Sequence, residues 1–575
     1  MKEWEEESEG GRRKEEVGLE GRKKLRRRKR QKEKSLHNSI DRVVTKFYQH
    51  ILSLVFAIKE INENPNILPN VTLGFNIYDS YNDAHVTYRT TLELLFKSHR
   101  LVLNYKCESL KEPLAIIGAH AFKTSSFMEN ILTLYKIPQL TYGSFTPTRR
   151  GNGQLSSFYR MATNEEPQYM GIISLLQHFG WTWIGLFVVD DDSGEHFLEK
   201  MELLLSQNGI CSAFTSQIQN QEHFHDSKAR NHRTQYLYQI FKSSKARVFL
   251  LYGNVYMIMW IWYFITQGAL GDNNKVWITA AQSDFVLASL DQDGSLQMFQ
   301  GALSFRIHSS EVPGFQEFLQ AIKPDWTEAD YFLKDFWEEA FDCSVPDPKM
   351  PYKVSGTCMR EKRLESLIAP LFELRMSGHS YGIYNAIYAV AHASHALFLS
   401  RSIHKSVVGK RGALQDLQPW ELHPFLQDIS FNNSAGESIS FNAKREMRAG
   451  FDVMNLVTFP NNSFINVKVG WVDPNAPKGK ELIIHEDMIT WHRNFNQVHP
   501  ISACTDSCHL GYQKRKKEGE KFCCYDCVPC PEGKISNQTG GGRLCSNVKH
   551  FAVGGFEIVV DHLNTFQEIE VFFML

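Results

Sequence analysis

"GIISLLQHFGWTWIGLFVVDDDSGE", Gly171 to Glu195, decides the fold class. Its first part, "GIISLLQHFGW", carries apolar residues at helical spacing up to Gly180. "TWIGLFVVDDD" then reads as a short apolar strand, and a helix is expected from Glu195 to Gln207. Helix, buried strand and helix in close succession are the grammar of β-α-β units around a parallel sheet covered on both faces.

The same alternation extends outward in both directions. Downstream come "ARVFLLYG", a helix around Trp260, "KVWITA" and "GALSFRI". Upstream, "YQHILSLVFAIKEIN" spaces Ile51, Leu54, Val55, Ile58 and Ile61 as one helix face, closed by Asn64-Pro65. "VTLGFNIYDS" alternates as a strand, then follow a helix from Ala84 to about Ser98, "LAIIGA", a helix from about Lys123 to Tyr135, and "IPQLTYGS". Two α/β units in one chain predict two lobes. Open α/β sheets bind ligands beyond the carboxyl ends of their strands, so residues 118–124, 142–146, 190–194 and 280–284 are the expected cleft walls.

Composition narrows the function classes. The chain has 575 residues, 43% of them hydrophobic, which is core for roughly three to four domains. A net charge of -1 supplies no overall field toward nucleic acid or an acidic membrane. The local exception is Arg22 to Lys34, basic at ten of thirteen positions and preceded by an acidic run. Opposed charge blocks almost without apolar residues cannot offset chain entropy, so residues 1–40 are expected to be a disordered tail. The basic stretch is followed by no apolar h-region of a secretory signal. Val248 to Ile265 runs 18 residues without a formal charge, but Gly253-Asn254 in its middle favours a buried strand and then a helix over a membrane span.

Several motifs invite a chemical reading. "GHSYG", Gly378 to Gly382, fits a nucleophile elbow, yet no strand precedes it and a long helix follows, so Ser380 reads as the helix N-cap. Gly151 and Gly153 lack the third glycine of a dinucleotide fingerprint. His392 and His395, three apart on that long helix, read as a packed face. Of eleven cysteines, seven fall between Cys504 and Cys545. Cys504, Cys508, Cys524 and Cys527 have spacing that a tetrahedral zinc site could use. N-x-S/T sequons at Asn70, Asn432, Asn461 and Asn537, and too little apolar residue for a core, favour disulfides over zinc.

The stretches "YQHILSLVFAIKEINENPNILPN", "GFNIYDSY", "YKIPQLTYGSF", "HFGWTWIGLFVVDDDSGE", "SYGIYNAIYAVAHASHA" and "ACTDSCHLGYQKRKKEGEKFCCYDCVPCPEGKISNQT" resemble the extracellular part of vomeronasal type-2 receptors, a branch of the class C G-protein-coupled receptors. The resemblance implies a two-lobed Venus flytrap, similar to type I periplasmic binding proteins, and a disulfide-rich neck, without a cofactor or an enzymatic reaction. Lobe 1 is expected over about 41–160 and 306–445, lobe 2 over about 161–305 and 446–490, and the cysteine-rich domain over 500–546. Residues 547–575 form an atypical tail in which no transmembrane helix is expected.

Carried over residue by residue, the resemblance implies bridges Cys211–Cys523, Cys504–Cys524, Cys508–Cys527, Cys530–Cys545 and Cys343–Cys358, leaving Cys107 unpaired. At the pocket, the serine and threonine that hold an amino acid's carboxylate in relatives become Phe122 and Phe145, and the tyrosine and aspartate near its ammonium become Ser193 and Ala281. Tyr142 and Ser144 remain as polar candidates. A peptide or hydrophobic chemosignal is therefore expected in place of glutamate, because a desolvated ammonium would be poorly compensated. The family further implies a homo- or heterodimer through lobe 1, a G protein in a full-length parent, and the extracellular side of the cell membrane. The other classes kept open are a secreted binding protein or decoy, and an intracellular zinc protein or GHSYG esterase.

Overall fold

A computed structural model describes residues 45–69, 71–80, 83–96, 113–143, 157–219 apart from 163, 236–253 apart from 238, 257, 261, 275–281, 296–323, 331–345, 356–359, 361–367, 372–408, 417–460 and 463–531 apart from 478 and 497, with short strand segments between 534 and 560. The charged tail, Cys107, Asn70, Asn461 and Asn537 lie outside the described residues.

In chain order the first elements are α1 (Thr45–Glu63), α2 (Ala84–Phe96), β1 (Ile116–Ile117), α3 (Phe122–Tyr135), β2 (Gln139–Thr141) and β3 (Phe158–Arg160). Then come α4 (Glu166–His178), β4 (Trp183–Asp190), α5 (Asp192–Gln207), β5 (Cys211–Gln219), β6 (Val248–Tyr252), β7 (Val276–Thr279) and β8 (Leu303–Ile307). The chain continues through α6 (Phe315–Ala321), α7 (Tyr331–Ala340), α8 (Gly378–Val408), α9 (His423–Gln427), β9 (Ser430–Asn432) and β10 (Ser438–Ser440). It returns through β11 (Phe451–Thr458), β12 (Phe464–Val472) and β13 (Leu482–Ile484), and continues into the hairpin β14 (Tyr512–Lys516) and β15 (Tyr525–Pro529), ahead of the short strands between 534 and 560.

Strands β1, β2 and β3 form one parallel sheet. A second sheet has eight strands in the order β13-β12-β11-β8-β7-β6-β4-β5. Its half from β5 to β8 is parallel, as the sequence grammar requires, but β8–β11, β11–β12 and β12–β13 are antiparallel. The wholly parallel sheet expected from sequence is thus corrected to a mixed one. Its antiparallel strands belong to a return segment that reaches the sheet about 140 residues after β8 as a hairpin, a connection that crossover grammar does not foresee.

Each sheet has its own core. Around the mixed sheet, Phe187, Phe249, Trp277 and Phe241 pack ring against ring, and β6 is buried at all five positions. Gly185 makes that stack possible, since a Cβ there would come within 2.5 Å of the Phe249 ring. The run Val248 to Tyr252 is thus a central strand, and Met257 and Ile261 beyond it are helical and buried. No helix among the described residues is long and apolar enough to cross a membrane.

The second core gathers α1, α6, α7 and α8 around Phe56, Trp337, Phe336 and Tyr384. Here α1 corrects the expected face. Leu52, Phe56, Ala57, Ile58 and Ile61 are buried, while Ile51, Leu54 and Val55 are only half-buried. The rotation follows from polar residues that hydrophobic spacing ignores. Gln49, fully buried, donates to the carbonyls of Glu373 (2.6 Å) and Arg375 (2.7 Å) and so turns that side of the helix inward.

Three further expectations change. Residues 71–80 hold no regular strand; their alternation is real, but no ladder partner lies beside them among the described residues, and a strand exists only where a second backbone accepts its hydrogen bonds. Helix α5 starts at Asp192, three residues before the expected Glu195. The cap of α8 is Ser377, whose Oγ accepts from the Ser380 amide at 3.2 Å, while Ser380 itself lies inside the first turn. Ser380 has no exposed surface and its hydroxyl donates to Gln49 Oε1 at 2.7 Å, so it is a strut between two helices rather than an exposed nucleophile. His395 likewise takes a structural part, its Nδ1 accepting from the Leu68 amide at 3.0 Å.

Candidate ligand-binding cleft, hinge and neck

In the mixed sheet β4 lies between β5, which follows it, and β6, so the strand order reverses at β4/β6. Ligands of open α/β sheets sit outside the carboxyl ends of strands at such a reversal. At the end of β4, Asp191 caps α5 by accepting from the amides of Ser193 and Gly194, both at 3.0 Å, and from the Ser193 hydroxyl at 2.5 Å. Gly194 must be glycine, because a Cβ there would lie 1.8 Å from the Val189 carbonyl oxygen. At the end of β6, Tyr252 donates to Glu165 at 2.8 Å, and Tyr169 donates to the same carboxylate. Burial, then the neighbouring Glu165 charge, holds both phenols far above their ordinary pKa. Ala281, just beyond β7, is buried in the core. Of the two candidates in this half, Ser193 is engaged in a cap and Ala281 offers only a methyl group.

In the smaller sheet the corresponding ends are those of β1 and β2. Phe122 opens α3 directly beyond β1. Ser144 and Phe145 lie outside the described residues. Tyr142, just past β2, has its ring edge-on to His50, with centroids 5.4 Å apart, and lies 6.2 Å from His120 and 6.4 Å from His379. Burial pushes the Tyr142 hydroxyl up to about 12, so it stays a neutral donor. Sequence reading named Tyr142 but missed the three histidines, which come from α1, the β1–α3 loop and α8. Only the fold brings them together.

Three chain segments pass between the sheets, and each carries an ionic or hydrogen-bonded clasp. Arg160, ending β3, pairs with Glu446 at 3.2 Å, with both side chains nearly fully buried. Glu165 is the acceptor of the two tyrosines already described. His308, one residue past β8, places Nδ1 3.0 Å from Asp452 of β11 and Nε2 2.8 Å from Glu437, beside β10. The hydrogen bonds that His308 donates to Asp452 and Glu437 raise its pKa to about 9. The bond from His308 leads the causes that lower Glu437 to about 2. At Asp452 burial opposes ionisation, and bonds from His308 and Lys468 outweigh it. None of these residues carries a motif; a lone His, Asp or Glu in a linker has no periodicity to read.

The cysteine-rich segment is fastened to the mixed sheet. Disulfides join Cys211 to Cys523, Cys504 to Cys524, Cys508 to Cys527 and Cys343 to Cys358. Cys530 is also disulfide-bonded, and Cys545 lies outside the described residues. With Cys504, Cys508, Cys524 and Cys527 all spent in disulfides, that set cannot coordinate zinc as thiolates. Beside Cys211–Cys523, Ser502 accepts from the amides of Thr182 (2.9 Å) and Trp183 (3.0 Å), and its hydroxyl donates to the Trp183 carbonyl at 2.5 Å. Trp181 Nε1 donates to the Pro500 carbonyl at 2.7 Å. Lys521 Nζ donates to the Ser212 carbonyl at 2.7 Å. Of the sequons, Asn432 is described, exposed at the end of β9.

Residues 52–458 match the family model "Receptor family ligand binding region", and residues 499–547 match "Nine Cysteines Domain of family 3 GPCR". The chain is 32% identical over 496 residues to vomeronasal type-2 receptor 26 of Mus musculus, covering 86% of this chain and 56% of that protein. It is 27% identical over 524 residues to the extracellular calcium-sensing receptor of Homo sapiens, covering 86% of this chain and 47% of that protein. Taste receptor type 1 member 1 of Homo sapiens is 25% identical over 506 residues, with 86% of this chain and 55% of that protein covered. The chain thus spans about half the length of the curated relatives it matches. With two α/β sheets, a clasped hinge and a disulfide-tied neck, it belongs to the class C G-protein-coupled receptor family, of which it carries the extracellular ligand-binding region and the cysteine-rich domain.

Proposed function

We propose that this chain senses a chemical signal for a vomeronasal-type receptor. The ligand, a peptide or an apolar chemosignal, draws the two lobes together, and the movement of the mixed-sheet lobe is carried into the neck. Closure works as a switch because the ligand meets surfaces of both lobes only in the closed state, and so binds that state better. The observation that carries this reading is the tie between Cys211 and Cys523, reinforced by Ser502 and Trp181. A neck fastened to one lobe at several points must follow that lobe's rotation.

In this reading the lobe boundaries fall near residues 160, 306 and 446, and the three segments that pass between the sheets there would act as the hinge. The full-length parent would place this region on the extracellular side of the cell membrane, dimerise through lobe 1 and act on a G protein. No catalytic step is part of the reading. The experiment is small-angle scattering of the chain with fractionated peptide and apolar chemosignal extracts. An active fraction lowers the radius of gyration, and cross-links between the β4–α5 turn and Tyr142 appear only in its presence. Fractions that bind without any compaction would overturn the closure mechanism.

A further inference from the structure

The mixed sheet ends on one side in β13, and among the described residues no strand lies beyond it. Its register with β12 pairs Gly470 with Ile484, Trp471 with Ile483 and Val472 with Leu482. The Asp473 amide donates to the Glu481 carbonyl at 2.9 Å, and the His485 amide to the Val469 carbonyl at 2.7 Å. Backbone groups alternate in direction along an antiparallel strand, so Glu481, Ile483 and His485 turn theirs toward β12, and Leu482 and Ile484 turn theirs to the open edge. Side chains alternate as well. Leu482 and Ile484 pack against the core, whereas Ile483 and Trp471, directly opposite each other, are 39% and 38% exposed. The His485 ring lies 5.9 Å from that of Trp471 on the same outer face.

An edge with open backbone groups and exposed apolar residues is a template for another strand, and β13 itself holds no proline or charged residue of the kind that blunts such edges. The stretch "KELIIHE", Lys480 to Glu486, is complementary to its own reverse. An antiparallel second copy centred on Ile483 sets Lys480 opposite Glu486, Glu481 opposite His485 and Leu482 opposite Ile484. Leu482 and Ile484 then exchange the hydrogen bonds that they turn outward. The outer faces join in one apolar stripe, Trp471 and Ile483 of one copy continuing into Ile483 and Trp471 of the other. Glu486 meets His178 through Oε1 at 2.6 Å and Glu481 meets the Gly479 amide through Oε2 at 2.6 Å, so each carboxylate has a second oxygen for the pairing. A parallel pair in register would instead put Lys480 beside Lys480 and Glu481 beside Glu481, and like charges across a ladder are destabilising. A slip of one residue would set Ile483 against a core-facing leucine and turn the second sheet over.

We infer that β13 is a self-association edge, at which two copies of this chain pair antiparallel about Ile483 and continue the mixed sheet from one molecule into the other. The edge belongs to the lobe that holds the neck, is separate from the lobe 1 dimer of the proposed function, and goes beyond that reading. Three-residue strands make a small contact, in the class of weak, reversible interfaces below about 1,200 Å². Such a contact gathers copies that are already concentrated, as on a cell surface.

Cysteine cross-linking of the chain at high concentration reads the register. In Ile483→Cys the two introduced thiols face each other across a non-hydrogen-bonded pair, where Cβ atoms stand about 4.5 Å apart, so mild oxidation should give a disulfide-linked dimer. The unaltered chain under the same oxidation is the control for the native cysteines. Glu481→Cys should cross-link to His485→Cys in a mixture but not to itself, since two copies of residue 481 lie about 14 Å apart along the strands. Sedimentation of Ile483→Lys, which sets like charges against each other at the two-fold, should show the weakest association step of the chain reduced at least about tenfold. Its melting temperature should be unchanged, which shows that the variant folds. No Ile483→Cys dimer above the control, or Glu481→Cys linking to itself as readily as to His485→Cys, overturns the inference. Ile483→Lys associating like the unaltered chain also overturns it and places self-association on another surface. Ligand-driven compaction in scattering is read separately, so failure here leaves the closure reading standing.

Discussion

Arg160 Nη1 lies 3.2 Å from Glu446 Oε1, and the two side chains are only 4% and 9% exposed. The pair sits where β3 leaves the small sheet and the chain returns toward β11, with backbone bonds from Arg160 N to the Arg445 carbonyl and from Met447 N to the Arg160 carbonyl. Burial works against the guanidinium's charge and lowers its pKa, with the Glu446 carboxylate as the leading opposing influence. Removing only the carboxylate leaves a buried guanidinium without its Glu446 counter-charge. Glu446→Gln should therefore destabilise the fold by about 3 kcal/mol, and Arg160→Met combined with Glu446→Leu should recover much of that loss. Urea denaturation followed by tryptophan fluorescence reads both; equal losses in the single and double variants would contradict the argument.

His308 predicts a pH dependence with a definite sign. Its folded pKa is raised to about 9, so its contribution is fully present below its unfolded value near 6.5 and is lost as pH rises through about 9. Glu437 is lowered to about 2, so its contribution is present above its unfolded value near 4.5 and is lost as pH falls through about 2. Melting temperature should accordingly decline between about pH 6.5 and 9. With the His308 side chain 29% exposed, solvent screening limits the decline to about 1 kcal/mol. His308→Gln should flatten the alkaline limb and also shrink the acid limb, because the bond from His308 leads the causes that lower Glu437. A wild-type profile with no slope between neutrality and pH 9 would refute the assignment.

Periodicity made the helices and the parallel strands legible, because helical and alternating spacing are local properties of consecutive residues. Strand β6 could be told from a membrane span by Gly253-Asn254 beside it. What stayed hidden shares one physical cause. The inward face of α1 depends on Gln49 finding carbonyls more than 300 residues away, at Glu373 and Arg375. The α8 cap fell to Ser377 rather than Ser380 because both serines suit the role and the helix's actual start decides between them. The antiparallel return of β11 to β13, the Arg160–Glu446 clasp and the His50–His120–His379 cluster all pair residues distant in sequence. Spacing carries no information about such meetings. At the cleft, Tyr142 and Ser193 stood out as polar residues in the right loops, but the bonds that commit Ser193 to Asp191 appear only in three dimensions.

The neck tie can be cut without unfolding either part. Cys211→Ser combined with Cys523→Ser removes the covalent link but keeps the Ser502 and Trp181 hydrogen bonds. Stability should fall by about 2–4 kcal/mol, since the bridge closes a loop of 312 residues. Hydrogen exchange should quicken in β15 and around Lys521, while exchange in β4 and β6 is unchanged. Uniform acceleration across the mixed sheet would mean the disulfide supports the lobe itself rather than the junction.

Free glutamate should bind poorly, with a dissociation constant above about 1 mM by calorimetry. An α-amino acid needs an acceptor or aromatic face for its ammonium group once water leaves the cleft. On the mixed-sheet side Ser193 Oγ is already donating to Asp191, Ala281 supplies a methyl group, and Glu165 is already accepting from Tyr169 and Tyr252. On the other side, the N-termini of α3 and α8 place positive field where the ammonium would have to lie. Tight binding by the unaltered chain would show that the ammonium finds a partner elsewhere in the cleft and would refute the prediction.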